Sequence, residues 1–208
     1  WPDNANLDTY GGGYAVFGRV TGTGMDVVNF IGSLPISGYT FPSPFEEMPL
    51  WLYTGGVVLE DFDNDGLLDV MVSAWGFTAR DQLRVFRNNG DGTFTERTAQ
   101  AGLEGLVSGL NLRQGDFDND GFTDVLVLRG AWLGPEGHYP FSLLHNNGDF
   151  TFTDVTEQAG LLHYKPTQSA ALLDYNGDGW LDIFVGNESV GRDACACELY
   201  RNNGDGTF

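Results

Sequence analysis

The sequence predicts a mainly β fold: a partial β-propeller of three four-stranded blades, the third incomplete, preceded by a short strand-and-helix segment. Three observations carry this. An acidic phrase recurs three times, beginning at Asp61, Asp116 and Asp174. A second phrase, Asn-Asn-Gly-Asp, follows each copy and begins at Asn88, Asn146 and Asn202. Apolar runs of strand length flank both phrases, and 30 glycines in 208 residues are about twice the usual ~7%. Many tight turns between short strands, repeated at a fixed period, mark propeller blades.

In the first unit, Gly56–Glu60 runs into the acidic turn and Asp69–Ala74 leaves it, with Val70 and Val72 apolar. Leu83–Arg87 enters the Asn-Asn-Gly-Asp-Gly turn and Thr93–Arg97 leaves it. Asn-Gly and Asp-Gly between apolar runs are strong hairpin signals. The second unit repeats the order with Asn111–Gln114, Asp124–Leu128, Phe141–His145 and Thr151–Val155. The third has Ala170–Leu173, Asp182–Val185 and Glu198–Arg201, then stops as its fourth strand begins. A third phrase, Thr98-Ala-Gln-Ala-Gly-Leu103, returns as Thr156-Glu-Gln-Ala-Gly-Leu161. The blades are placed at about 51–109, 110–166 and 167–208. Propellers close with roughly 4–8 blades, so further blades are expected from the rest of a longer chain or from neighbouring subunits. A chain that starts at Trp1 and stops at Phe208, inside a repeated phrase, is expected to be an excerpt.

Composition narrows the function. The 29 acidic residues against 10 basic ones give a net charge of −19. Such a surface repels phosphate backbones, which argues against a nucleic-acid partner. No apolar run reaches the roughly 18 residues of a membrane helix. The acid is not spread evenly: Asp outnumbers Glu 20 to 9, and eleven of those Asp fall in the three acidic phrases. Solvated acidic faces use Glu freely, because it is the better helix former. Asp and Gly together point to tight, oxygen-rich turns.

The spacing D-x-[DN]-x-D-G-x-x-D supplies oxygens at positions 1, 3, 5 and 9, and Gly at position 6 permits a sharp bend. Carboxylates so close repel unless a cation sits among them. Ca²⁺ takes six to eight oxygens, and a backbone carbonyl at position 7 can add one. One calcium ion per loop is expected. The first site takes Asp61, Asp63, Asp65, Asp69 and the Leu67 carbonyl. The second takes Asp116, Asp118, Asp120, Asp124 and the Phe122 carbonyl. The third takes Asp174, Asn176, Asp178, Asp182 and the Trp180 carbonyl. An EF-hand needs Glu at position 12 and flanking helices; here position 12 is Val72, Val127 or Val185, each in a strand-like run. Mg²⁺ prefers fewer protein ligands and keeps its waters, and zinc would want His or Cys, absent from these turns. The Asn-Asn-Gly-Asp phrase holds one carboxylate, Asp91, Asp149 or Asp205, and turn chemistry accounts for it.

Residues from about 51 to 208 resemble the FG-GAP/VCBS repeats of integrin-α-like propellers. They are similar above all to the ASPIC/UnbV and cartilage-acidic-protein branch, through "GDFDNDGFTDVLVLRG" and "LYRNNGDGTF". The resemblance implies a secreted, calcium-stabilised, non-catalytic propeller for adhesion, scaffolding or assembly, placed on a bacterial surface, with a protein or glycan ligand.

Residues 1–50 lack the repeat. Tyr14–Val20 reads as a strand, Met25, Val28 and Ile31 fall on one helical face, and Pro35, Pro42 and Pro44 mark an extended linker. "NLDTYGGGYAVFGRVTGTGMDVVNFI" resembles the C-terminal part of a cyclophilin-type prolyl isomerase, and "FEEMPL" fits the tail of bacterial members. Leu7 and Tyr14 match positions that line that family's proline pocket. The family's catalytic arginine segment, Gln-Gly-Gly segment and Phe-Phe-Ile strand are absent, so no turnover is expected from this chain. An alternative is a longer isomerase parent that uses the propeller for targeting.

The remaining candidates are few. His138, His145 and His163 show no ligand spacing. Trp51, Trp75, Trp132 and Trp180 could face a sugar, the basis of a carbohydrate-binding alternative, though such residues more often pack blades. A disulfide between Cys195 and Cys197 would be strained, so they read as small residues near a strand start. Asn187-Glu-Ser189 is a glycosylation sequon.

Overall fold

The computed structural model describes residues 54–74, 82–130, 138–189 and 194–208. The cyclophilin-like reading of residues 1–50, with Leu7 and Tyr14, lies outside them, as do Trp51, Trp75 and Trp132. Among the described residues the structure is strand and turn without helix, and no helix is long and apolar enough to cross a membrane.

Three antiparallel sheets follow one another along the chain. The first holds β1 (Thr54–Glu60), β2 (Asp69–Ala74), β3 (Arg84–Asn88) and β4 (Phe94–Glu96), paired in sequence order. The second holds β5 (Asn111–Gly115), β6 (Asp124–Leu128), β7 (Ser142–Asn146) and β8 (Phe152–Asp154), in the same order. The third holds β9 (Thr167–Leu173), β10 (Asp182–Asn187) and β11 (Glu198–Tyr200), with β10 in the middle. This is the mainly β, partial-propeller architecture that the repeats predict. The third strand of each of the first two blades sits one residue later than predicted. Asn88 and Asn146, assigned to the turn from sequence, pair with Phe94 and Phe152 across the ladder.

The middle strands explain the stacking. Val125 to Leu128 are apolar at every position and buried on both faces, as expected of a strand covered on both sides. One apolar cluster joins the first two blades through Val58, Phe62, Met71, Leu112, Val127 and Phe152. A second joins the second and third through Phe117, Leu126, Phe141, Ala170, Ile183 and Val185. Phe62, at the second position of the first acidic loop, meets Phe152 edge to face with ring centroids 5.2 Å apart. Phe117 meets Phe208 in the same way at 6.0 Å. The closing Phe of the second and third Asn-Asn-Gly-Asp phrases is thus the anchor for the preceding blade's acidic loop. On the third blade the matching positions stand open: Phe184 is 43% exposed and Leu199 47%, where their equivalents Leu126 and Leu143 are buried.

Candidate metal centre

Each acidic phrase forms the hairpin connection between the first two strands of its blade. Glu60 pairs with Asp69, Gly115 with Asp124 and Leu173 with Asp182, and the loop bulges between them. The chain needs left-handed backbone at two points in each loop. Asn64 (φ 54°) and Asn119 (φ 56°) provide the first, and Gly177 (φ 76°) takes that place in the third loop. Gly66, Gly121 and Gly179 provide the second, at φ near 90°, where a side chain would be strained.

The position-1 carboxylates organise the loop from within. Asp61 accepts the N–H groups of Asp65 and Gly66 at 3.0 and 2.8 Å. Asp116 accepts those of Asp120 and Gly121, and Asp174 those of Gly177, Asp178 and Gly179. The Gly179 N–H above all holds the Asp174 carboxyl below its ordinary range. The position-5 residues Asp65, Asp120 and Asp178 each accept the N–H of position 7. The position-7 side chains lie over the glycine of the adjacent Asn-Asn-Gly turn. A Cβ on Gly148 would come within 2.6 Å of the Phe122 ring, and one on Gly204 within 2.9 Å of Trp180.

Position 9 is different, because Asp69, Asp124 and Asp182 are buried. Asp69 accepts from Phe62 N at 3.1 Å and Asn88 N at 2.8 Å, and the other two repeat this with Phe117 and Asn146, and with Tyr175 and Asn202. Burial still pushes the Asp69 carboxyl up to about 7, with the charges of Asp63 and Asp65 adding to it. Burial likewise raises Asp124 to about 6.

Oxygens gather unequally in the three loops. Asp61, Asp63 and Asp69 each offer one within 4.8 Å of the others, as do Asp116, Asp118 and Asp120. Among the described residues no such carboxylate trio forms in the third loop. There Asn176 replaces a carboxylate, and its Nδ2 donates to Asp178 Oδ2 at 2.7 Å. In the first loop Asp63 Oδ1 is a buried oxygen without a hydrogen-bond partner.

Two features of the site were not anticipated from sequence. The residue before each Asn-Asn pair is basic or imidazole, and antiparallel pairing carries it to the acidic loop. Arg87 Nε donates to Asp63 Oδ2 at 2.7 Å and its Nη2 to Asp65 Oδ2 at 2.6 Å. Arg201 lies 3.7 Å from Asp178. His145 Nδ1 lies 3.2 Å from Asp118 Oδ2 and 3.3 Å from Asp124 Oδ1. The second acidic turn itself holds no His, as read from sequence, but His145, far in sequence, lies one strand away in the sheet and brings its imidazole beside that loop.

The second feature is the first Asn of each phrase, which turn chemistry alone does not explain. Asn88, Asn146 and Asn202 are buried. Asn146 Nδ2 donates to Thr123 O at 3.2 Å and, across the blade boundary, to Phe62 O at 3.0 Å. Asn202 Nδ2 repeats this with Leu181 O and Phe117 O. The backbone adds a second stitch, with Phe152 N donating to Ala101 O and Phe208 N to Ala159 O.

The other residues singled out from sequence stand apart from the loops. Cys195 and Cys197 are not disulfide-bonded; Cys195 Sγ lies 3.8 Å from His138 Nε2. His163 stacks 5.6 Å from Tyr200. Asn187, in the sequon, donates through Nδ2 to Ala196 O.

Successive antiparallel sheets, each opening on an Asp-rich hairpin and the first two of these fastened by the following blade, define a repeat protein of the propeller type. The chain belongs to the FG-GAP-like repeat family, which matches residues 53–127 and 131–185. It is similar to cartilage acidic protein 1 of Xenopus tropicalis, 30% identical over 104 residues, half of this chain and 15% of that one. The similarity to human cartilage acidic protein 1 is 30% over 118 residues, covering 56% of this chain and 17% of that one. The chain therefore spans under a fifth of the length of these relatives. Among solved structures it resembles an Agrocybe aegerita lectin described as recognising non-reducing terminal N-acetylglucosamine. That likeness has TM-score 0.40 and 23% identity, over 73% of this chain and 36% of that chain.

Proposed function

We propose that the chain is a calcium-binding, non-catalytic segment of an extracellular propeller that presents a surface for protein assembly or adhesion. The observation that carries the cation is the first loop: three carboxylates converge within 4.8 Å, and Asp63 Oδ1 is buried there without a partner. A buried acceptor left unpaired costs about 1–3 kcal/mol, and a bound cation removes that cost. Arg87 supplies one positive charge against the four carboxylates of this loop, so the formal charge remains negative, which favours a divalent ion. The donors are hard oxygens, the set that suits Ca²⁺.

In this reading Asp61, Asp63, Asp65 and Asp69 hold the first ion with the Leu67 carbonyl. Asp116, Asp118, Asp120 and Asp124 hold the second with the Phe122 carbonyl. Asp174, Asn176, Asp178 and Asp182 hold the third with the Trp180 carbonyl. The ion ties the first hairpin of each blade shut and fixes the rim from which the loops project. Isothermal titration of chelator-treated protein with CaCl₂ tests the reading. Saturable binding that Asp63→Asn weakens supports it; heats no larger than those of dilution would reject it.

A further inference from the structure

The three loops are alike in sequence, but their facing residues are not. At the position just before the Asn-Asn pair, the first and third blades carry Arg87 and Arg201, and the second carries His145. A guanidinium can only donate hydrogen bonds and has no free lone pair to offer a metal. A neutral imidazole can coordinate one.

His145 Nδ1 stands 3.2 Å from Asp118 Oδ2 and 3.3 Å from Asp124 Oδ1. Ligands bound tetrahedrally at 2.0–2.1 Å lie about 3.3 Å apart, the separation expected around zinc. The three donor atoms lie within 4.8 Å of one another. Their orientations are set from outside the set: the Asn146 and Phe117 N–H groups clamp the Asp124 carboxylate, and β7 carries His145. Asp124 is buried, whereas Asp118 and His145 keep 35% and 28% of their side chains in solvent. An ion there would have three protein ligands and a side open to water, the pattern of a zinc site with an exchangeable position. Asp118 belongs both to this set and to the all-oxygen set of Asp116 and Asp120.

We infer that the second loop holds a transition-type divalent cation, of the zinc class, through Asp118 Oδ2, Asp124 Oδ1 and His145 Nδ1, whereas the other two loops do not. The inference builds on the reading of the loops as cation sites and assigns one of them a different ion. The mixed nitrogen and oxygen donors favour such ions over Ca²⁺, which takes oxygen. The same distances would also suit a protonated imidazole held between two carboxylates, and metal uptake separates the two.

The experiment uses the full 208-residue chain, stripped of metal and titrated separately with CoCl₂, ZnCl₂ and CaCl₂. One Co²⁺ per chain should bind with the intense visible absorption of four- or five-coordinate cobalt, and one equivalent of Zn²⁺ should displace it. His145→Arg copies the other two blades, so the fold should persist by circular dichroism. It should lower Co²⁺ affinity more than about 100-fold, beyond the 10–100-fold typical of losing an outer-shell partner. Asp118→Asn should weaken both Co²⁺ and Ca²⁺ uptake. Unchanged Co²⁺ affinity in folded His145→Arg, or no Co²⁺ uptake by the parent, overturns the inference. If Co²⁺ binds through His145 while no loop takes Ca²⁺, the calcium reading fails and this one stands.

Discussion

The side-chain amide of Asn146 donates to the carbonyl of Phe62, 84 residues earlier, at 3.0 Å. One polar side chain in the second blade thereby fixes the acidic loop of the first. Asn146 is fully buried, and its Oδ1 also accepts Gly148 N at 3.0 Å.

Asn146→Ala should therefore destabilise the protein by about 2 kcal/mol, within the ~1–3 kcal/mol cost of stranding buried polar groups. Its exposed neighbour is the control. Asn147→Ala should fall within about 0.5 kcal/mol, as surface changes usually do. Paired urea melts check this, and equal effects from the two variants would contradict the blade-stitching role.

Calcium removal should lower the melting temperature. A site at 100-fold excess of ion over Kd contributes about 2.7 kcal/mol, so filled loops together should exceed any single side-chain change described here. Calorimetry in CaCl₂ and then in EGTA gives the comparison. Identical melts, with no calcium by elemental analysis, would leave the loops as polar turns.

The third loop should release calcium first. Asn176 lowers its formal ligand charge to −3 from the −4 of the other two, and affinity in such loops follows ligand charge and rigidity. Asn176 Nδ2 also engages Asp178 Oδ2 at 2.7 Å, so one ligand oxygen is occupied before an ion arrives. Asn176→Asp should tighten the weakest step of a calcium titration, and Asp178→Ala should remove one equivalent. Full stoichiometry in Asp178→Ala would refute the ligand set.

The aromatic seam should be costly to open. Phe62 is fully buried and packs on Phe150 and Phe152 at centroid distances of 6.4 and 5.2 Å. Phe62→Ala should cost about 3–5 kcal/mol. The equivalent change at Tyr175, 48% exposed on the third blade, should cost under about 1 kcal/mol. Chemical denaturation of both variants decides whether this position acts through the blade boundary.

How much of this was legible follows from which signals are local. The acidic loops, their hairpins and the strand order were readable because position 1 to position 9 spans nine consecutive residues with their own turn chemistry. Asp69–Ala74 and Asp124–Leu128 are strands over the predicted spans. The placement of Arg87, His145 and Arg201 was not legible, because it arises only when antiparallel pairing sets them beside the loop. Arg87 touches Asp63 from 24 residues away. A signal was present nonetheless: a basic or imidazole residue precedes all three Asn-Asn pairs. The first Asn was hidden by a sufficient explanation, since the Asn-Gly that follows it already makes the turn; the extra Asn recurring before that pair was the unexplained surplus.

The stitches that the Asn-Asn-Gly-Asp phrases make between blades run one way. Asn146 reaches back to Phe62 and Asn202 to Phe117; Phe152 reaches back to Ala101 and Phe208 to Ala159. On the ribosome, where a chain emerges amino end first, each acidic loop waits for its successor to be made before it is fastened. Competence to grip an ion would then trail synthesis by one blade. Damage would spread in the opposite sense: a lesion in one blade loosens the loop of the blade behind it, because repeat structures transmit energy only between nearest neighbours.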